Sequence, residues 1–339
     1  LVFSPTVKSP AFQSAGTTIS VPSVALPGRS EYRLGLGMPA KIRRQLQAFS
    51  PNLIHLSAPD WLGYAARRFA VAEDIPLVAS FHTRYDTYFR YYGGFKLEKY
   101  ARRYLKHFYA PCQHVYVPSQ SMADELKTAN IRKDTLLWTR GVNCDRFHPR
   151  HRSMDWRRSI GLADADVAVA FVGRLVLEKG LDVFARTLHT LKTVNPNIRP
   201  LIVGEGPERE RFASKLDHGI FTGFLTDEPL ARAYASADIF FNPSVTETFG
   251  NVTLEAMASG LACVCADATG SRSLVDHGES GYLVAPDDEA GYGARIAELA
   301  SDPHLAGVYG AAGRKKALAF DWDAVMSDLV GHYREVLAG

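Results

Sequence analysis

The chain has 339 residues, 46% of them hydrophobic and 22% charged. That length suggests two domains, and the composition excludes a disordered tail, a coiled coil or a collagen-like chain. No uninterrupted apolar run reaches the ~18 residues of a membrane span, the start LVFSPTVKSPAF lacks the basic and apolar regions of a signal peptide, and four cysteines cannot form a disulfide scaffold. A cytosolic protein is expected, with Cys263 and Cys265 as buried, reduced thiols. The net charge of +3 conceals an asymmetry. Residues 1–150 hold 21 Lys and Arg against 10 Asp and Glu, a balance of +11, whereas residues 151–339 hold 18 against 26, a balance of −8. Two domains with different partners would show such a division, and the basic one should face something anionic.

Along the chain, short apolar runs bounded by turn residues recur: NLIHLSA (52–58), PLVASFH (76–82), HVYVPS (114–119) and TLLWTRG (135–141), then VAVAFVG (167–173), RPLIVGEG (199–206), GIFTGF (219–224), ADIFFNPS (237–244), ACVCAD (262–267) and GYLVAP (281–286). Helical stretches separate most of them, among them 63–72, 121–129, 181–193 and 208–215. Runs that are apolar throughout suit parallel strands covered on both faces, and their alternation with helices predicts doubly wound α/β sheets. Around 147–160 the texture becomes polar and aperiodic (FHPRHRSMDWRRSIG), which places a domain boundary there. The expected division is an acceptor-side domain over 1–150, a nucleotide-binding domain over 151–320, and a closing amphipathic helix over 321–339 with Trp322, Val325, Leu329 and Tyr333 on one side.

In the basic half, residues 92–107 (YGGFKLEKYARRYLKH) carry Lys96, Lys99, Arg102, Arg103 and Lys106, with Phe95, Tyr100, Leu105 and Phe108 interleaved at helical spacing. Three readings are open: a solvated helix face, a helix lying on an anionic lipid surface, or a nucleic-acid groove. No nucleic-acid-binding motif accompanies the charge, which argues against the last.

Two motifs in the acidic half carry chemistry. In VGRLVLEKG (172–180) a strand ends at Gly173, and Arg174 and Lys179 follow before a helix starting near Gly180. Two cations beside a helix N-terminus at a strand's C-terminal end make an anion site, and a diphosphate is the natural guest; an exposed loop with ordinary charges is the bland alternative. In PSVTETFGNVTLEAMASG (243–260), Glu247 and Glu255 stand in an E-x7-E arrangement, the first ahead of a helix beginning near Gly250 and the second inside it. They cannot be a side-by-side acid pair on one helix face. Each fits hydroxyls on a different part of one ligand, while the backbone amides of Phe249, Gly250 and Asn251 suit an anion. Carboxylates for hydroxyls and amides for phosphate together suit a nucleotide sugar; a capping and an exposed glutamate would be the structural alternative.

GRLVLEKG, VGEGPERE and ADIFFNPSVTETFGNVTLEAMASGLACVCADATG, with SFHTRYD, WTRGVNCDRFHP and the closing helix, resemble the family-four retaining glycosyltransferases of the GT-B fold, from about residue 50 to the end. In texture the chain is most similar to bacterial glycolipid-forming mannosyl- and related sugar transferases. The resemblance implies two Rossmann-like doubly wound domains with a cleft between them. It implies a hexose moved, with retention and without a metal or other cofactor, from GDP-mannose or a UDP-sugar to an acceptor hydroxyl on a membrane lipid or lipid-linked glycan. By position, Arg174 and Lys179 match the diphosphate ligands, Glu255 the ribose ligand, Glu247 the donor-sugar ligand and His82 the histidine lining the reaction site. A cytoplasmic protein peripheral on the inner face of the plasma membrane follows. The alternatives are a nucleotide-sugar-binding protein without transfer and a sugar-nucleotide epimerase of the same fold.

The sequence departs from the family pattern twice. Its start looks like the family's second strand, so the first strand and its Gly-rich loop, ~40 residues of a βαβ start, would precede it. RGVN stands where Asp is common, and Asn143 should still cap a turn. VGEGPERE lacks the third glycine of a dinucleotide fingerprint. The D-x-D strings Asp164-Ala-Asp166 and Asp321-Trp-Asp323 sit beside element starts, where aspartate caps.

Overall fold

Ten of the strands are the ten apolar runs above. The structure, a computed structural model of the chain, describes residues 1–7, 16–26, 29–82 and 98–339, and divides them into two units. The first comprises Leu1–Val117, Ala123–Leu137 and Leu329–Gly339; the second comprises Pro118–Met122 and Trp138–Asp328.

In the first unit β1 (Val2–Ser4) pairs parallel with β2 (Thr18–Ser20), and β3 (Ser23–Leu26) pairs antiparallel with β4 (Arg29–Gly35). The first lies at the chain's start, where the family resemblance suggests a strand; the periodicity announces none of the four. The main sheet is parallel, in the order β5 (Ile54–Leu56), β6 (Leu77–Ser80), β7 (His114–Val117), β8 (Leu136–Leu137). Helices Trp61–Ala72, Glu98–Tyr109 and Gln120–Thr128 lie in the three successive crossovers of this sheet, the first capped by Asp60, whose carboxylate accepts from the Gly63 amide at 2.7 Å. His55 breaks the apolar run of β5. Its ring bonds through Nε2 to the buried Ser80 hydroxyl and through Nδ1 to the Tyr333 hydroxyl of the last helix, and burial pushes it down to about 4, so it is neutral at physiological pH. Sequence reasoning missed it, although a histidine inside a strand of Ile and Leu is a visible irregularity.

The second unit holds a six-stranded, wholly parallel sheet of β9 (Val167–Val172), β10 (Ile198–Val203), β11 (Ile220–Gly223), β12 (Ile239–Asn242), β13 (Ala262–Ala266) and β14 (Gly281–Val284), ordered β11-β10-β9-β12-β13-β14. The core lies on both faces. On one, Phe171, Phe184, Phe212, Phe241 and Tyr292 pack together, with Phe184 stacked on Phe241 at 5.1 Å; on the other, Tyr234, Phe240, Leu254 and Met257 are buried. Coverage of both faces is why these strands read as apolar runs rather than alternations. Cys263 and Cys265 are buried on β13, and burial pushes the Cys265 thiol up to about 12.

Three expectations change. The aperiodic stretch 147–160 contains a 3₁₀ turn (Pro149–His151) and a helix (Met154–Ser159), built on a buried Arg157 that bonds to Asp238 at 2.9 Å and to the Ser236 carbonyl at 2.7 Å. The helix has only six residues, too few to show a period, and it is held by this buried cation together with Trp156 and Ile160, which pack against the core. The helix expected over 208–215 is only Arg209–Ala213. On Glu98–Tyr109, Leu105 and Phe108 are buried in the first unit instead of interleaving with the cations.

At the C-terminal ends of β9 and β10 two backbone segments run in contact. Gly173 donates to the Val203 carbonyl at 3.0 Å and Leu175 to the Glu205 carbonyl at 3.0 Å. A Cβ on Gly204, whose φ is +140°, would lie 1.9 Å from the Gly173 carbonyl oxygen. The glycines of VGEG therefore serve close packing of this turn against the GRL loop. Gly204→Ala should cost about 2–3 kcal/mol in denaturant unfolding. Gly307→Ala, on an open helical site with nothing within 4 Å, should be neutral or stabilising by about 0.5–1 kcal/mol.

Candidate functional site

The strand order of the second unit reverses between β9 and β12, the first strand of each half, and the loops leaving their C-terminal ends diverge there. Both loops lead into helices, Leu181–Val194 after β9 and Asn251–Ala258 after β12, through glycines in the left-handed region: Gly180 at φ 73° and Gly250 at φ 99°. Neither glycine has a side chain to cap its helix, so two N-termini end on backbone amides beside the strand ends.

The loops brace each other. A Cβ on Gly180 would meet the Pro243 carbonyl oxygen at 2.8 Å, and the Thr246 hydroxyl donates to the Glu178 carbonyl at 3.1 Å. A 3₁₀ turn, Leu177–Lys179, carries Lys179 across to Glu247, with Nζ 2.5 Å from Oε1. This pair is partly buried, its side chains 24% and 14% exposed. The Glu247 carbonyl accepts from Thr269 Oγ1 at 2.6 Å and from the Gly270 amide at 2.8 Å, so the ATG turn holds the loop from behind. From the segment Pro118–Met122, the buried Ser119 hydroxyl donates to the neighbouring Thr248 carbonyl at 2.7 Å. Neither support is visible as a motif, because each acts through a backbone carbonyl.

Glu255 sits more than one turn into its helix, as the E-x7-E spacing predicts. Burial pushes its carboxyl up to about 7, against the downward pull of the Tyr234 hydroxyl, which donates to Oε2 at 2.9 Å, and of Arg146. Glu247 has a cation; Glu255 has a phenol. The structure thus brings Lys179 and Glu247 into contact, which the sequence reading assigned to separate parts of a ligand. It places half-buried Arg174 directly after Gly173, where β9 ends, and Phe249, buried, ahead of Gly250 and Asn251 at the second helix start. His82 lies two residues beyond β6 in the first unit, half-buried.

Of the basic cluster, Lys96 falls outside the described residues, as does Phe95. Lys99, Arg103 and Lys106 are exposed on helix Glu98–Tyr109 with Tyr100 (70% exposed) and Tyr104 (38%), whereas Arg102 is half-buried and ion-paired to Glu98. Arg67 closes the end of this helix by donating to the His107 and Phe108 carbonyls, both at 3.0 Å. Three of the aspartates of the D-x-D strings are occupied nearby: Asp321 Oδ1 accepts from the Asp323 and Ala324 amides, Asp166 from the Ala163 amide, and Asp164 pairs with Arg158. Asn143 Oδ1 accepts from the Asp145 and Arg146 amides, capping its turn.

Residues 1–146 match the family model described as Glycosyltransferase Family 4, and residues 166–302 the model described as Glycosyl transferases group 1. The chain is 32% identical over 320 residues to a GDP-mannose-dependent alpha-mannosyltransferase of Corynebacterium glutamicum, covering 94% of this chain and 76% of the relative. Among solved structures it is similar to the sucrose-phosphate synthase of Thermosynechococcus elongatus (TM-score 0.76, 24% identity, 88% of this chain and 77% of that one). It is also similar to HepE of Anabaena in complex with UDP-glucose (TM-score 0.73, 19% identity, 86% and 81%). The two parallel Rossmann-like sheets are those of the GT-B fold, and the chain belongs to the family 4 glycosyltransferases.

Proposed function

We propose that the chain transfers a hexose from a nucleoside-diphosphate sugar, with retention of anomeric configuration, to an acceptor hydroxyl carried at a membrane. The observation that supports the donor most directly is the convergence of Arg174, the Lys179–Glu247 pair, two helix N-termini and Glu255 at the switch point of the second sheet. GDP-mannose is the first donor to test, given the name of the Corynebacterium glutamicum relative, and UDP-glucose the second, given the ligand of HepE.

Negative charge builds on the diphosphate as the glycosidic bond breaks. In this reading Arg174 and Lys179, with the amides of Phe249, Gly250 and Asn251, stabilise that charge, so that side-chain cations take the part a divalent metal takes elsewhere. Glu255 accepts from ribose hydroxyls and Glu247 from hydroxyls of the sugar. Lys179 and Glu247 are in contact, so in this reading the lysine reaches the phosphate from the same place where the carboxylate reaches the sugar. Departure and attack on the same face of the sugar account for retention without a carboxylate nucleophile. His82 is assigned to the acceptor or a sugar hydroxyl through the resemblance of SFHT. Lys179→Ala should weaken binding of the sugar nucleotide by about 1.5–3 kcal/mol, the scale of a charge-assisted hydrogen bond. Calorimetry checks it, and unchanged affinity in a folded variant would overturn the assignment.

The membrane part of the proposal rests on helix Glu98–Tyr109, whose Lys99, Arg103 and Lys106 stand outward beside Tyr100 and Tyr104. No described helix is long and apolar enough to cross a membrane. Each cation near an anionic surface contributes about 1 kcal/mol, so three give reversible, salt-sensitive attachment. Co-sedimentation with anionic vesicles should fall with added salt and with K99Q/R103Q/K106Q combined. Equal partitioning onto neutral vesicles would leave a solvated helix face and favour a soluble acceptor.

A further inference from the structure

Tyr234 lies near the end of helix Asp227–Ser236 in the second unit and is wholly buried, edge-on to Phe147 at 5.6 Å. Its hydroxyl stands 2.9 Å from Oε2 of Glu255 and 3.2 Å from the Val252 carbonyl oxygen. A phenol has one proton to donate, so only one of these two bonds can be made at a time. Among the described residues Tyr234 is the one side chain that donates to the Glu255 carboxyl. Packing alone would be met by phenylalanine; a hydroxyl aimed between a carboxylate and a carbonyl calls for another reason.

We propose that Tyr234 is a positioning residue for donor binding: its hydroxyl holds Oε2 of Glu255, so that the carboxylate meets the ligand's hydroxyls in one orientation. This rests on the reading of Glu255 as the ribose ligand. The same geometry makes the pair reversible. When Glu255 takes a proton from solvent, its carboxyl O–H donates to the Tyr234 oxygen, and the phenol proton turns to the Val252 carbonyl. The ligand then meets a neutral acid in place of a charged acceptor. Burial, which holds Glu255 near 7, sets this changeover in the neutral range. The groups that face the pair are Arg146, itself bonded to Asp227 at 3.1 Å, Glu247 on the β12 loop and the buried Cys263 thiol on β13. Of these only Arg146 draws Glu255 downward, and it is shared with Asp227.

The test is the pH dependence of sugar-nucleotide affinity, measured with GDP-mannose and UDP-glucose, whose diphosphates have no ionisation in this range. Wild-type affinity should fall about tenfold from pH 8 to pH 6 with a midpoint near 7, as one titrating carboxylate requires. Glu255→Gln should bind weakly and without that transition. Tyr234→Phe removes the bond that pulls the carboxyl down, so its midpoint should move up and its affinity at pH 7 should fall severalfold. Unfolding adds a readout without ligand. The native chain holds the Glu255 proton more tightly than the unfolded chain, so wild-type stability declines as pH rises from about 4.5 to 7, and Glu255→Gln lacks that decline. A Tyr234→Phe variant with the wild-type midpoint and affinity, beside a weakened Glu255→Gln, would overturn the role of Tyr234 and leave the ribose assignment standing. If Tyr234→Phe does not fold, a flat wild-type profile overturns the proposal. Wild-type affinity in Glu255→Gln, or a chain that binds neither nucleotide, would remove the assignment itself.

Discussion

The reversal of strand order between β9 and β12 is the constraint on which the second unit depends. A parallel sheet needs a crossover after every strand, and each crossover here is a helix covering one face. Where the winding changes direction, the two loops must leave in opposite senses, and backbone amides, loop cations and carboxylates collect there. The glycines follow from the same geometry. Gly180 must pass the Pro243 carbonyl, and Gly204 must pass the Gly173 carbonyl, at distances that no Cβ tolerates. Small residues therefore surround the switch point for reasons of backbone approach, and its charge is carried by the few side chains between them.

The two glutamates of E-x7-E show how one fold gives identical side chains different surroundings. Glu247, on a loop, has an ion-pair partner and backbone support from Thr269 and Gly270. Glu255, on a helix packed into the core, has a neutral partner and a carboxyl raised into the neutral range. A buried carboxylate whose one side-chain hydrogen bond comes from a phenol, with Arg146 shared with Asp227, keeps its proton to a higher pH than an exposed one.

The first unit divides its helices by the same physics of burial. Helix Glu98–Tyr109 turns Leu105, Phe108 and Tyr109 to the core and leaves Lys99, Arg103 and Lys106 outward. His55, neutral between Ser80 and Tyr333, ties the closing helix to β5 and β6 without burying a charge. A protonated ring at that place would carry a desolvation cost that the two hydroxyls do not offset.

Much of this was legible in the chain itself. The ten apolar runs are ten strands; those at the centre of the six-stranded sheet are apolar throughout because a strand covered on both faces must be, and that is a local property. The helix start near Gly180, the place of Glu255 inside its helix and the capping role of Asn143 are also set by neighbours within a few residues. What only the tertiary structure decided depends on partners far apart in sequence. Lys179 meets Glu247, Tyr234 meets Glu255, His55 meets Tyr333, and Arg157 is buried against Asp238. Periodicity carries no information on such pairs, because a side chain's partner across the fold is chosen by sheet order and loop length. The same limit explains the interleaved aromatics: spacing showed that Leu105 and Phe108 share a helix with the cations, and packing against the first unit's sheet decided which side faced in.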